Sequence, residues 1–232
     1  MIANVGDAST LLTLEHARCA VRAGADAIAA TPPYYYPNNQ EELESFYREI
    51  AGAVDVPLLL YHIPQTVKVK VDPPFVRKLA RDGVIVGLKD SQYDLEWFRR
   101  VLVDAQADGV DLRCFLGTTG LIDVAVYAGG AGAIPGISNV TASACVGAYE
   151  AARAGDPAGA LRHQARVMAA ASLGGVVKGA SNIGSNFASM KAVLVARGVI
   201  KTAACRAPFR APTAEESARA VEIVSAAVGA AV

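Results

Sequence analysis

The sequence predicts an α/β fold built from parallel strands, and three observations support this prediction. Short apolar runs alternate with amphipathic helical patterns from residue 1 to about 155, as in successive βα units. One of these runs, 56–61, is almost wholly apolar, which is typical of a strand covered on both faces. Polar and reactive residues follow the predicted strands, and the active sites of parallel α/β proteins lie at that edge.

Each predicted strand is a short apolar or β-branched run, and each helix carries apolar residues at helical spacing. The first strand is expected at 1–5 and the first helix at 9–23, with Ser9 or Thr10 as N-cap and Gly24 just past its end. The later strands are expected at 26–31, 56–61, 84–89, 112–116 and 131–135, and the later helices at 39–53, 72–81, 92–107, 120–128 and 140–154.

The remaining residues contain no clear strand pattern. Helices are expected at about 156–171, 186–197 and 213–229, separated by glycine-rich loops. The predicted organisation is therefore an α/β portion over residues 1–155 and a C-terminal helical layer, 156–232, packed on it.

Composition excludes several classes of function. The 232 residues include 22 basic and 22 acidic side chains, so we expect no basic face for nucleic acid. No uncharged apolar run approaches transmembrane length and no signal peptide is visible, so we expect no membrane partner and a cytoplasmic location. The four cysteines are far apart and form no metal-ligand spacing, so no metal site is predicted.

The strand 84–89 ends on a lysine, although lysine is rarely buried without a partner. Two interpretations stay open from this stretch alone. Lys89 is either a nucleophile that forms a Schiff base with a carbonyl compound, or the point where the strand reaches water, paired with Asp90. Tyr61 and His62 end the preceding strand, so several strands direct reactive groups at one place, which favours an enzyme.

Three motifs together resemble the dihydrodipicolinate synthase / N-acetylneuraminate lyase family of class I pyruvate aldolases. They are Tyr61-His62-Ile63-Pro64, Gly87-Leu88-Lys89-Asp90 and the stretch 31–37, Thr-Pro-Pro-Tyr-Tyr-Tyr-Pro. The resemblance covers the chain from Met1 to at least residue 200. It implies a (β/α) TIM-barrel fold with C-terminal helices, and a reaction that needs no cofactor.

By this resemblance Lys89 forms the Schiff base with pyruvate or another 2-keto acid, and Tyr61 relays protons. Tyr35 would reach the site of a neighbouring subunit, and Gly117 and Ile134 would line the pyruvate pocket. The chemistry is reasonable in itself, because an iminium is an electron sink and a nearby phenol can pass on a proton. The family also implies a homo-oligomer, a dimer or a tetramer.

Two residues depart from the pattern of the synthases. Thr66 occupies the substrate-binding position at which they carry an arginine for a substrate carboxylate, and threonine cannot make that bidentate contact. This departure favours the lyases and sugar-acid aldolases. His62 stands where many relatives have asparagine. It either contacts a hydroxylated substrate or is a packed, hydrogen-bonded histidine.

The sequence begins at what should be the third barrel strand, so the first two βα units of the family are expected to be absent. They would hold the Gly-Thr-Thr-Gly-Glu loop that binds the pyruvate carboxylate. The similar Gly117-Thr118-Thr119-Gly120 follows the lysine strand, so this role is not transferred to it. Three explanations stay open: a truncated chain, units missing from the given sequence, or a chain that rearranges or pairs with another.

The expected function is a Schiff-base aldolase or lyase. It would interconvert a 2-keto-3-deoxy sugar acid, or a related 4-hydroxy-2-keto acid, with pyruvate and an aldehyde. The alternatives are a synthase or dehydratase that uses the same lysine, and a non-catalytic member of the family.

Overall fold

The computed structural model describes residues 1–229, whose contacts form two compact units. The first unit consists of Met1–Thr118 and Ala128–Ile134. The second consists of residues 119–127 and the chain from Pro135 onward. The division predicted between residues 155 and 156 stays a prediction, and its last residues, 230–232, lie outside the described part.

All six predicted strands form in the first unit, in one parallel sheet whose strand order follows the chain. The strands are β1 (Ile2–Asn4), β2 (Ala27–Ala30), β3 (Leu58–His62), β4 (Gly87–Asp90), β5 (Arg113–Leu116) and β6 (Gly132–Ala133). The predicted α/β class with parallel strands is thereby confirmed.

In the described part of the chain, this unit has five helices. They are α1 (Thr10–Arg22), α2 (Gln40–Ala53), α3 (Pro64–Val67), α4 (Pro73–Arg81) and α5 (Leu95–Ala107). Three of these five helices, α1, α2 and α5, begin at a side-chain cap. Ser9 caps α1, and Asn39 and Glu42 form a capping box at α2. The short α3 was not predicted; it starts at a proline directly after β3, a residue whose fixed φ suits a first helical turn.

The two faces of the sheet have different surroundings. Side chains alternate along a strand, and Leu60, Leu88 and Leu116 point to one face, where they are fully buried. The Tyr47 hydroxyl of α2 donates to the carbonyl oxygen of Ala30 at 3.1 Å on the same side. We call this face the outer face. Together with the apolar sides of the helices packed on it, it forms the core. The opposite, inner face carries Tyr61 and Lys89.

The inner face ends at two open strand edges. Among residues 1–229, β1 pairs only with β2 and β6 only with β5. Ile2 and Ile134, near these edges, keep 45% and 38% of their surface exposed. The arrangement is consistent with part of a TIM barrel, in which eight strands close the sheet.

The second unit is helical. Its helices are α6 (Ile122–Tyr127), α7 (Ser138–Arg153), α8 (Pro157–Ala169), α9 (Asn182–Ala196) and α10 (Ala214–Val228), with a 3₁₀ turn at Ala170–Gly175. The helix predicted at 186 begins four residues earlier, because the Ser181 hydroxyl accepts from the Gly184 N–H and caps it there. Within residues 1–229 no helix is both long enough and apolar enough to cross a membrane.

Candidate active site

Tyr61 and Lys89 form a contact pair on the inner face. They are register partners on β3 and β4, so their side chains leave the sheet side by side. The Lys89 Nζ lies 3.9 Å from the centroid of the Tyr61 ring. Both residues are half-buried. The geometry therefore holds an amine and a phenol within reach of one small molecule.

Lys89 makes no ion pair with any residue in the described range 1–229. Its neighbour Asp90 points to the outer face and pairs with His62 instead. The pairing of Lys89 with Asp90 is therefore wrong, since successive residues of a strand point to opposite faces. The alternative that Lys89 only marks where the strand reaches water stays open. The amine has no carboxylate partner within residues 1–229, and an ion-paired ammonium could not act as a nucleophile.

Gly117 lies close to this pair on the loop after β5. A Cβ at this position would come within 2.0 Å of the Ser91 Oγ and 3.2 Å of the Lys89 Cε. Only glycine leaves room for both side chains. Ser91 itself is buried and was missed by sequence reasoning. It lies two residues after Lys89, and the period of two along an extended chain could have identified it.

Buried polar atoms without partners gather at the same ends of β4 and β5. Three of the five such side-chain atoms found in the described residues are Asp90 Oδ2, Gln92 Nε2 and Thr118 Oγ1. Buried polar atoms are usually hydrogen-bonded. Asp90 belongs to the outer face, so its free oxygen lies away from the Lys89 amine.

The other predicted residues have different surroundings. Tyr35 is 76% exposed and packs edge-on against Tyr36, with ring centroids 4.9 Å apart. Thr66 is exposed on α3. Ile134 follows β6, and its N–H donates to the Leu116 carbonyl oxygen at 2.8 Å. Their roles stay predictions.

His62 lies on the outer face and has no exposed surface. Its Nδ1 is 2.9 Å from the Asp90 Oδ1, and its ring stacks on Trp97. Of the two interpretations of this residue, the structure supports the packed, hydrogen-bonded histidine. A direct contact with substrate would require the side chain to pass through the sheet.

The buried thiol near this region is not a second nucleophile. Burial, and secondarily the charge of Asp90, raises the pKa of Cys114 to about 12, so the thiol stays protonated at neutral pH. Residues 1–229 contain no group of three or more His, Cys, Asp or Glu side chains arranged to hold a metal ion. Lys89 therefore stays the candidate nucleophile of this site.

Comparison with known proteins agrees with the motifs around Tyr61 and Lys89. Residues 1–227 match the model of the dihydrodipicolinate synthetase family. An uncharacterised DapA-like lyase of Halobacterium salinarum is 33% identical over 210 residues, which are 90% of this chain and 65% of that protein. The predicted resemblance is thereby confirmed.

Solved structures show the same fold. A dihydrodipicolinate synthase from Bacteroides thetaiotaomicron superposes with a TM-score of 0.87 at 26% identity, over 97% of this chain and 74% of that one. CdNal from Clostridium difficile, solved in complex with mannosamine, gives a TM-score of 0.86 at 26% identity, over 97% and 73%. The chain thus spans about 65% of the length of the Halobacterium relative and about three quarters of the solved chains.

Proposed function

Because the chain belongs to the dihydrodipicolinate synthetase family, we propose that it is a class I aldolase acting through Lys89. It cleaves a 2-keto-3-deoxy sugar acid, or a related 4-hydroxy-2-keto acid, to pyruvate and an aldehyde, or forms that acid from them. The observation that carries this proposal is the Lys89 amine, free of carboxylate partners in residues 1–229 and 3.9 Å from the centre of a phenol ring.

The reaction begins when the Lys89 amine attacks the keto carbon of the substrate. Loss of water gives an iminium, which draws electrons from the neighbouring carbon. The Tyr61 phenol relays the proton of the C4 hydroxyl: its oxygen accepts that proton while its own O–H proton passes to water. The C3–C4 bond breaks, the aldehyde leaves, and the electrons of the broken bond form an enamine. Protonation of the enamine carbon regenerates the iminium, and water then releases pyruvate and the free amine.

Thr66 supports a lyase rather than a synthase. A short hydroxyl side chain lacks the charge and the two parallel N–H donors with which arginine holds a carboxylate. The acceptor is therefore an uncharged, hydroxylated aldehyde. A synthase or dehydratase that uses the same Schiff base is the second candidate, favoured by the family match and by the synthase among the structural neighbours.

The six βα units correspond, in this proposal, to the third to eighth units of an eight-unit family barrel. Two observations support this correspondence. The sheet of residues 1–229 has open edges at β1 and β6, and the chain spans only part of its relatives' length. The exposed Tyr35 would form a contact between subunits of a homodimer or tetramer. A member of the family that has lost catalysis is the third candidate.

Borohydride trapping with pyruvate tests the proposal. We expect a reduced adduct on Lys89, located by peptide mapping, that is absent from Lys89→Ala. Lys70→Ala is the matched control, since Lys70 is an exposed lysine of the same unit, 3.9 Å from Asp94. Absence of an adduct from folded wild-type protein would contradict the proposal and favour the non-catalytic candidate.

A panel of aldehydes then separates the first two candidates. Lyase activity predicts pyruvate-dependent consumption of hydroxylated aldehydes of sugar type. Consumption of aspartate semialdehyde alone would favour the synthase.

A further inference from the structure

The residues directly behind the candidate catalytic pair form a second pair. Tyr61 and Lys89 are register partners on the inner face, and the next residues along each strand, His62 and Asp90, are register partners on the outer face. The His62 Nδ1–H donates to the Asp90 Oδ1 at 2.9 Å. One side-chain hydrogen bond therefore joins β3 to β4 at the level of the reactive groups.

His62 is held from three sides. Its Nε2 accepts from the backbone N–H of Val71 at 3.4 Å, which identifies Nδ1 as the nitrogen that carries the proton toward Asp90. Its ring stacks on Trp97 with centroids 4.5 Å apart. The Trp97 indole N–H donates to the Val71 carbonyl oxygen at 3.2 Å. These contacts with Asp90, Val71 and Trp97 fix the orientation of the imidazole ring.

Asp90 is held less completely. Its Oδ1 also accepts from the Gln92 N–H at 3.3 Å, while its buried Oδ2 has no partner in the described residues. A buried carboxylate with an unpaired oxygen is costly, and an apolar pair of similar volume commonly packs as well. Core packing therefore does not explain why this chain carries polar residues at both positions.

We propose that His62 and Asp90 are positioning residues that hold Lys89 over the ring of Tyr61. Since side chains alternate along a strand, fixing His62 and Asp90 on the outer face fixes the rotation of β3 and β4 about their axes. That rotation sets the direction in which Tyr61 and Lys89 leave the inner face. The geometry rests on the structure alone, and only its consequence for turnover rests on the proposed function.

The positioning is tested first without any substrate. All lysines are converted to ¹³C-dimethyl-lysines by reductive methylation, and the Lys89 signal is assigned by its absence in Lys89→Ala. Because Nζ lies 3.9 Å from the centre of the Tyr61 ring, we expect the methyl signal to be shifted upfield, and the shift to vanish in Tyr61→Leu. A wild-type signal without this shift would overturn the proposal.

The variants separate positioning from stability. His62→Phe keeps the stack on Trp97 but removes the bond to Asp90, and the upfield shift should be lost. Asp90→Asn keeps an acceptor oxygen for His62 and should retain the upfield shift of the Lys89 signal. The double variant His62→Phe/Asp90→Leu replaces the pair by packed apolar groups, so it decides the question even where the single variant does not fold. We expect it to melt like the wild type and to lose the shift.

His16→Phe is the matched control, since His16 forms an exposed histidine–aspartate pair with Asp7 at 3.0 Å. It should leave the Lys89 signal unchanged. A Lys89 signal that stays upfield in the folded double variant would overturn the proposal.

The kinetic consequence is measured as the rate of trapping with pyruvate. Misplacement of a reacting group by about 1 Å costs up to about 10²-fold. The double variant should therefore lower the maximal trapping rate by about 10- to 100-fold and leave half-saturation by pyruvate nearly unchanged, while Asp90→Asn retains most of the rate. If wild-type protein shows the upfield signal but no adduct, the proposed function fails, and the NMR comparison of the variants still decides the positioning.

Discussion

Lys89 and Glu216 are two ionisable side chains of this protein in opposite situations. Both carboxylate oxygens of Glu216 accept hydrogen bonds from Arg210, at 2.7 and 2.8 Å. They also accept from the backbone N–H groups of Thr213 and Lys178, each at 2.8 Å. Lys89 lies beside the Tyr61 ring and forms no ion pair with a carboxylate of residues 1–229.

Glu216 carries a charge that stabilises the fold, whereas Lys89 is a side chain that is proposed to react. Glu216 accepts hydrogen bonds from Arg210, Thr213 and Lys178. It thereby joins the start of α10 to the loop before α9. The Lys89 amine forms no ion pair within residues 1–229, and Gly117 leaves space open beside it. A substitution near Lys89 should therefore change activity more than stability, and one at Glu216 should do the reverse.

Tyr61→Phe should have the largest effect. Loss of the phenol oxygen removes the proton relay, which is worth about 10²- to 10⁴-fold in rate. The Lys89 adduct with pyruvate should still form, and the melting temperature should hardly change. Aldehyde release measures the first effect and borohydride trapping the second.

Tyr127→Phe, at an exposed tyrosine of the second unit, is the control for Tyr61→Phe. Equal aldehyde release by wild type and Tyr61→Phe would contradict the assigned role.

Gly117→Ala should slow adduct formation by up to about 10²-fold, because the new methyl group would displace Ser91 and the Lys89 side chain. The rate of trapping with pyruvate measures this effect. Gly136→Ala is the matched control, since a Cβ there meets no atom within 4 Å. Similar rates for both variants would show that the space around Lys89 is not restricted.

Glu216→Gln should lower the melting temperature and leave trapping at Lys89 unchanged. Arg210, and then the N–H groups of Thr213 and Lys178, holds the pKa of the Glu216 carboxyl well below its ordinary value of 4.5. The folded state therefore binds this proton less readily than the unfolded state. Its stabilising contribution is complete above pH 4.5 and is lost as the pH falls further.

The difference in melting temperature between wild type and Glu216→Gln should accordingly be constant from pH 7 to about pH 5 and shrink below it. Glu222→Gln, in the exposed Arg219 ion pair of the same helix, should change the melting temperature much less. A difference that does not depend on pH would contradict the assignment.

The smallest effect concerns the thiols. Cys114 should resist alkylation at pH 8, because burial raises its pKa to about 12, while the exposed Cys19 reacts. Peptide mapping after brief treatment with iodoacetamide measures both. Rapid labelling of Cys114 in folded protein would show that the outer face near Asp90 opens to solvent.

Much of the fold could be predicted from the sequence, because apolar periodicity determines which elements form. All six strands follow from it, and the cap of α1 follows from the polar Ser9 before its apolar pattern. The short α3 could not be predicted, since four residues carry no period and only Pro64 indicates a start. β6 was expected at 131–135 but has only two residues, and within residues 1–229 it pairs only with β5.

The candidate site was predictable in its residue types but not in its neighbours. The pairing of Tyr61 with Lys89 depends on the register of two strands that are far apart in the chain. The orientation of His62 follows from alternation along β3 once the orientation of Tyr61 is known. The role of Gly117 as free space depends on Ser91, and such tertiary proximity has no local signal.

The strand order has a consequence for local unfolding. Because every strand pairs with its neighbours in the chain, the sheet can open one unit at a time from either edge without breaking its centre. Backbone amides of β1 and β6 should exchange with solvent deuterium first, and those of β3 and β4 last. Tyr61 and Lys89 lie on the two central strands, β3 and β4. Fraying of the sheet edges therefore disturbs the geometry of this pair least.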